Sequence, residues 1–127
     1  MEVACGIMIN SDNKILLGLR PSDKEDGGYW EFPGGKKEKE ETIEECLQRE
    51  WLEELNVHIS IQEEIYSYLN GKYFCRFFIG NIVDEENITM NIHDDIRFVN
   101  LDEIQYMNIF EGDYILLEYL MNHFIIS

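Results

Sequence analysis

Basic residues are scarce in this chain. Ten Lys and Arg stand against 26 Asp and Glu, a formal net charge of −16. That balance argues against DNA or RNA as a partner, because a long phosphate backbone needs clustered Lys and Arg. Long hydrophobic runs are also missing. No stretch approaches the roughly 20 apolar residues that cross a bilayer as a helix, so no membrane partner is expected. The opening MEVACGIMIN carries an acid at position 2 and no basic lead, so it does not read as a signal peptide. Cys5, Cys46 and Cys75 are odd in number, far apart and without a CxxC pair. Reduced thiols in a cytoplasmic protein fit this better than disulfides or zinc. Linkers, internal repeats and low-complexity tracts are absent too, which leaves one domain over residues 1–127. A chain of that length buries roughly two-thirds of its unfolded surface, and 45% hydrophobic residues suit a packed globule.

What is present reads as strands around one central helix. Residues 2–10 are apolar and β-prone, a turn follows at 11–13, and 14–20 (KILLGLR) return as a second strand. Residues 21–28 form a polar loop, and 30–32 are a short strand leading into Pro33, Gly34 and Gly35. Thr42 caps a helix running to about Leu55. Residues 57–69 are β-prone, Asn70-Gly71 is the strongest hairpin signal, and 72–83 return as a strand. A polar stretch at 84–95 precedes a strand at 96–100, a short helix at 101–106 and an apolar-rich helix at 112–124. The order predicts an α/β fold, a mixed sheet covered by helices.

The helix carries the chemistry. Ile43, Cys46 and Leu47 trace an apolar stripe. Continued by three or four residues, that stripe lands on Glu50, then Glu53 and Glu54, with Leu52 and Leu55 facing another way. At 3.6 residues per turn the three carboxylates share a face within a turn and a half. Such a cluster repels itself, and partial desolvation makes the repulsion costly unless a divalent cation compensates. A solvated charged face would not continue a buried stripe.

Residues 35–57, GKKEKEETIEECLQREWLEELNV, resemble the Nudix hydrolase signature G-x5-E-x7-R-E-U-x-E-E-x-G-U, with U a bulky apolar residue. Gly35, Glu41, Arg49, Glu50, Trp51, Glu53, Glu54 and Val57 all match. Asn56 stands where the pattern has glycine, and Asn tolerates the left-handed cap needed there. The preceding WEFPGGK, residues 30–36, extends the resemblance to MutT-like nucleotide pyrophosphohydrolases over nearly the whole chain.

The resemblance implies a Nudix-type α/β/α sandwich with a mixed β-sheet between helices. It implies hydrolysis of a nucleoside triphosphate to monophosphate and pyrophosphate with Mg2+, or Mn2+ as a substitute. Glu53, Glu54 and the Gly34 carbonyl correspond to metal ligands, and Glu50 to a carboxylate that binds metal or deprotonates water. Arg49 and Glu41 correspond to supports of those carboxylates, and Arg20 to a contact for substrate phosphate. A further glutamate ligand is expected where Ile92 stands. His93, Asp94 and Asp95 are its candidate replacements, with the two aspartates preferred for a hard ion, and the number of metals stays open. Asp113 corresponds to a residue reading the base edge, though a helix N-cap is an equal reading. Of Tyr73, Phe74, Phe77 and Phe78, some pack the core and one, with Phe74 chosen, stacks on a base. Lys36, Lys37 and Lys39, with Arg20, are the only basic cluster, open to phosphate steering or to plain solvation. The resemblance is shared between 8-oxo-dGTP sanitising enzymes and CTP or dCTP pyrophosphohydrolases, with hydrolysis of another nucleoside diphosphate linked to a group X as a further alternative. The implied assembly is a monomer or a weak homodimer.

Overall fold

The computed structural model describes residues 1–25 and 27–123. Strands β1 (Glu2–Ile9), β2 (Ile15–Leu19), β3 (Trp30–Glu31) and β4 (Gly34–Lys36) precede helix α1 (Ile43–Leu55). Strands β5 (Ile59–Asn70), β6 (Tyr73–Ile82) and β7 (Asp95–Val99) follow, and helix α2 (Asp113–His123) comes last. Short 3-10 segments occupy Glu85–Asn87 and Leu101–Tyr106. The sheet is mixed, ordered β3-β2-β1-β6-β5, with β4 added to β1 and β7 to β2. Among the described residues β1 and β6 are the parallel strand pair and the other strand pairs are antiparallel. The hairpin at Asn70-Gly71 forms as expected, Gly71 supplying the positive φ of 62°. A strand not expected from the sequence, Gly34–Lys36, pairs with Val3–Cys5. Residue 124, expected in the last helix, lies outside the described residues.

Alternation along the strands feeds two cores. Ile7, Ile15, Leu17, Phe77 and Ile79 pack under α2 with Leu116, Leu117 and Leu120. Ala4, Met8, Leu16 and Phe78 point the other way and pack under α1 with Cys46, Leu47 and Trp51. The sheet thus lies between helices on both faces, the expected sandwich. No helix among the described residues is long and apolar enough to cross a membrane.

Helix α1 is delimited by its own side chains. The Thr42 hydroxyl accepts from the Glu45 amide at 3.1 Å, and Glu45 accepts from the Thr42 amide at 2.8 Å, a capping box. At the other end Asn56 takes the left-handed conformation, φ 58° and ψ 34°, as the pattern requires. Every fourth residue forms a row along the helix. The row Ile43, Leu47, Trp51, Leu55 is buried to its end, so Leu55 joins the core and only Leu52, 43% exposed, faces away. The next row starts apolar at Cys46 and turns acidic at Glu50 and Glu54. Glu53 belongs to the row of Arg49, and its side chain is 59% exposed.

Candidate active site

Strand β4 passes beneath α1 so closely that Gly35 has no space for a side chain. A Cβ built there would overlap the Glu50 carboxyl group. Two contacts hold this approach. The buried Trp51 indole donates to the Pro33 carbonyl at 2.8 Å, and the Cys46 thiol reaches the Gly35 carbonyl at 3.5 Å. Trp51 is more than the bulky apolar residue of the pattern, because it clamps the chain entering β4, which carries Gly34 and Gly35.

Arg49 organises the acids. It holds both oxygens of Glu41, Nε at 2.9 Å and Nη2 at 2.8 Å, the fork geometry that fixes a guanidinium plane. Its Nη1 reaches Glu50 at 2.8 Å and Glu53 at 3.2 Å. The Arg49 hydrogen bond, helped by the Glu38 amide, pulls the Glu41 carboxyl down to about 2. Glu41 is therefore a fixed anion, and Arg49 spans from it to Glu50 and Glu53.

Glu54 is buried at the centre of the group. Burial first, then its hydrogen bond with Glu50 and the charges of Glu31 and Glu50, push its carboxyl up to about 9. Glu31, on β3, meets His93 Nε2 at 2.8 Å, and the same nitrogen is 3.6 Å from Glu54. Of the three candidates to replace the missing glutamate at Ile92, His93 is the one that reaches the acids. Asp94 accepts from the Ser22 amide at 3.1 Å, and Asp95 from the Ile96 amide at 2.9 Å. Ile92 is 52% exposed.

A cavity of about 300 Å³ opens beside this group, lined by Arg20, Glu31, Gly34, Gly35, Lys36 and Asp113 among others. Arg20 is braced by Glu31 at 3.0 Å and by the Glu25 carbonyl. Lys36 and Arg20 are the members of the basic cluster on this wall; Lys39 is exposed elsewhere. Asp113 lies buried at the first turn of α2 and accepts from the Tyr68 hydroxyl at 2.7 Å. Burial lifts its carboxyl to about 6, against the Tyr68 hydrogen bond, which lowers it.

Phe74 does not line this cavity. Along β6, Tyr73, Cys75 and Phe77 face it, while Phe74 falls on the opposite phase with Phe78, which packs under α1. Phe110, stacked on Tyr29 at 5.0 Å, supplies another aromatic wall. Sequence reasoning missed Glu31, Tyr68 and Phe110. A signal existed only for Glu31, a carboxylate inside the WEFPGGK stretch.

The donor set suits a divalent cation. Glu31 and Glu50 both act on the buried Glu54, and their charges with its burial hold its proton on far above the ordinary carboxylate range. Carboxylate oxygens with a backbone carbonyl are the ligands hard ions take.

A NUDIX domain model matches residues 1–120. Over 60 residues the chain is 38% identical to an 8-oxo-dGTP diphosphatase of Proteus vulgaris, covering 47% of this chain and 54% of that protein. Over 68 residues it is 41% identical to a CTP pyrophosphohydrolase of Escherichia coli K12, covering 54% and 50%. The chain thus spans about half the length of these curated relatives. The solution structure of the E. coli ORF135 protein superposes with a TM-score of 0.78 at 29% identity, over 95% of this chain and 88% of that one. With the family model spanning residues 1–120, nearly its whole length, the chain belongs to the Nudix family.

Proposed function

We propose that this protein hydrolyses a nucleoside triphosphate to the monophosphate and pyrophosphate, using Mg2+ or Mn2+. The observation carrying the reading is one cavity that joins the Gly34–Glu31 wall beside α1's acids to a buried carboxylate, Asp113, on the α2 side. Gly34, Glu50, Glu53 and Glu54 hold the cation, which neutralises phosphate charge and lowers the pKa of water. Arg49 keeps Glu50 and Glu41 in place. Arg20 and Lys36 meet the polyphosphate, and Glu50 stands ready to accept the water proton. An O–P bond forms from water, the anhydride P–O bond breaks, and pyrophosphate leaves.

Asp113, ionised, accepts only, so it favours bases offering N–H groups: guanine N1–H and N2–H2, or the cytosine amino group. We assign 8-oxo-dGTP or a related guanine nucleotide as the leading substrate, a role in nucleotide-pool sanitation. CTP or dCTP is the second reading, favoured by the similarity to the E. coli CTP pyrophosphohydrolase. Screening nucleoside triphosphates, oxidised forms included, for pyrophosphate release with Mg2+ tests both. Guanine or cytosine nucleotides should rank first. A ranking led by thymine or uracil nucleotides, or no triphosphate turned over, would sink the assignment.

A further inference from the structure

Glu31 on β3, Glu54 on α1 and His93 ahead of β7 each bring one ligand atom within 4.8 Å of the others. Only Glu54 of the three belongs to the Nudix signature. The His93 side chain is 0% exposed and its Nε2 points between the two carboxylates. Its position is fixed from both sides. Asn91 ties the segment to the last turn of α1: its amide donates to the Glu54 carbonyl and its side chain to the Glu53 carbonyl, both at 3.0 Å. Asp94 ties it to the sheet through an amide donation to Leu19 at 3.0 Å. Between these anchors the ring lies over Gly18, where a Cβ would overlap it. Glu31 pairs directly across from Gly18, which is why Glu31 and His93 meet.

The other ring nitrogen, Nδ1, is buried and has no hydrogen-bond partner among the described residues. Nε2 is the ring nitrogen aimed at the two carboxylates, and it is the atom that would serve as ligand, with the ring proton then on Nδ1. A nitrogen donor also changes which ion is selected. Oxygen-only sets suit magnesium, whereas imidazole draws the first-row transition metals.

We propose that Glu31, Glu54 and His93 hold a first-row transition-metal dication, with zinc its best-matched member, in preference to magnesium. This is a nitrogen-bearing site beside the oxygen-only set of Gly34, Glu50, Glu53 and Glu54. It rests on the reading that α1's carboxylates bind divalent ions. Among the described residues no acceptor anchors Nδ1, so the ion is exchangeable, not a permanent structural metal.

The test is metal binding without nucleotide. Wild type, His93→Gln and Glu31→Gln are titrated with zinc chloride and, separately, magnesium chloride by calorimetry. Imidazole 15N shifts of the three histidines are followed by NMR. Zinc should move the His93 Nε2 resonance and leave His58 and His123 in place. Each variant should lose at least about tenfold in zinc affinity while its magnesium affinity holds. Glu31→Gln gives the same comparison if His93→Gln fails to fold. A His93 resonance unmoved by zinc, with equal zinc affinities in all three proteins, overturns the proposal and leaves magnesium binding, hence the proposed function, standing. A rise in both affinities in His93→Gln also overturns it, because the imidazole would then act as a countercharge. Wild type binding neither ion would remove both readings.

Discussion

Glu54 carries a proton to about pH 9 because burial and the neighbouring carboxylates oppose its charge. The unfolded chain releases that proton near the ordinary value of 4.5. Between these values the folded protein binds the extra proton, so stability of the metal-free protein falls as pH rises through the window. Melting curves from pH 5 to 9 in EDTA should show that decline, and a divalent cation should flatten it. Glu54→Gln should abolish both the slope and the metal response. It should also cut turnover at least about a hundredfold, the scale of losing a charge-stabilising group. Glu53→Gln should cost less, since Glu53 is largely exposed and leans on Arg49. Equal losses in the two variants would contradict the ordering of these acids. Asp113 titrates lower, near 6. Asp113→Ala should lower kcat/KM discrimination among triphosphates about ten- to a hundredfold, the worth of one charge-assisted hydrogen bond. In the wild type, discrimination should fade as pH drops through about 6, where the carboxyl gains a proton. An unchanged ranking with a lower Tm would make Asp113 a structural residue alone.

Helix α1 was legible because its ends and its rows are local properties. A capping box, a left-handed Asn56 and a four-residue spacing need no knowledge of the rest of the chain. The division of its acids was not legible, because whether Glu53 or Glu54 turns inward depends on where β3 and β4 pass. Strand β6 hid its phase for a different reason. Phe77 packs under α2 and its neighbour Phe78 under α1, so the aromatic run from Tyr73 to Phe78 carries no apolar-polar alternation to separate the cavity side from the α1 side. Phe74 was misplaced on that account. His93 lies in a polar segment without periodicity, and only its tertiary anchors to α1 and β2 aim it. The close passage of β4 under α1 gives a prediction at this scale. Gly35→Ala should push Glu50 away and lower kcat about a hundredfold, as a misplacement near 1 Å can, with near-UV circular dichroism unchanged. Full activity in Gly35→Ala would mean that Glu50 is not held where the chemistry needs it.

For the whole molecule, the sandwich puts the acids on one helix and the buried Asp113 on the other, with the sheet between them. The cavity is lined by residues of β1, β3, β4, β5 and β6 and reaches Asp113 on α2. A net charge of −16 would repel a polyphosphate from such a cleft, so the account requires a cation on α1 for substrate to be turned over. The most direct measurement follows 31P NMR of the best triphosphate with the wild-type protein, in Mg2+ and again in excess EDTA. The account predicts monophosphate and pyrophosphate in Mg2+ and no turnover in EDTA. Diphosphate with orthophosphate as products, or undiminished turnover in EDTA, would contradict it.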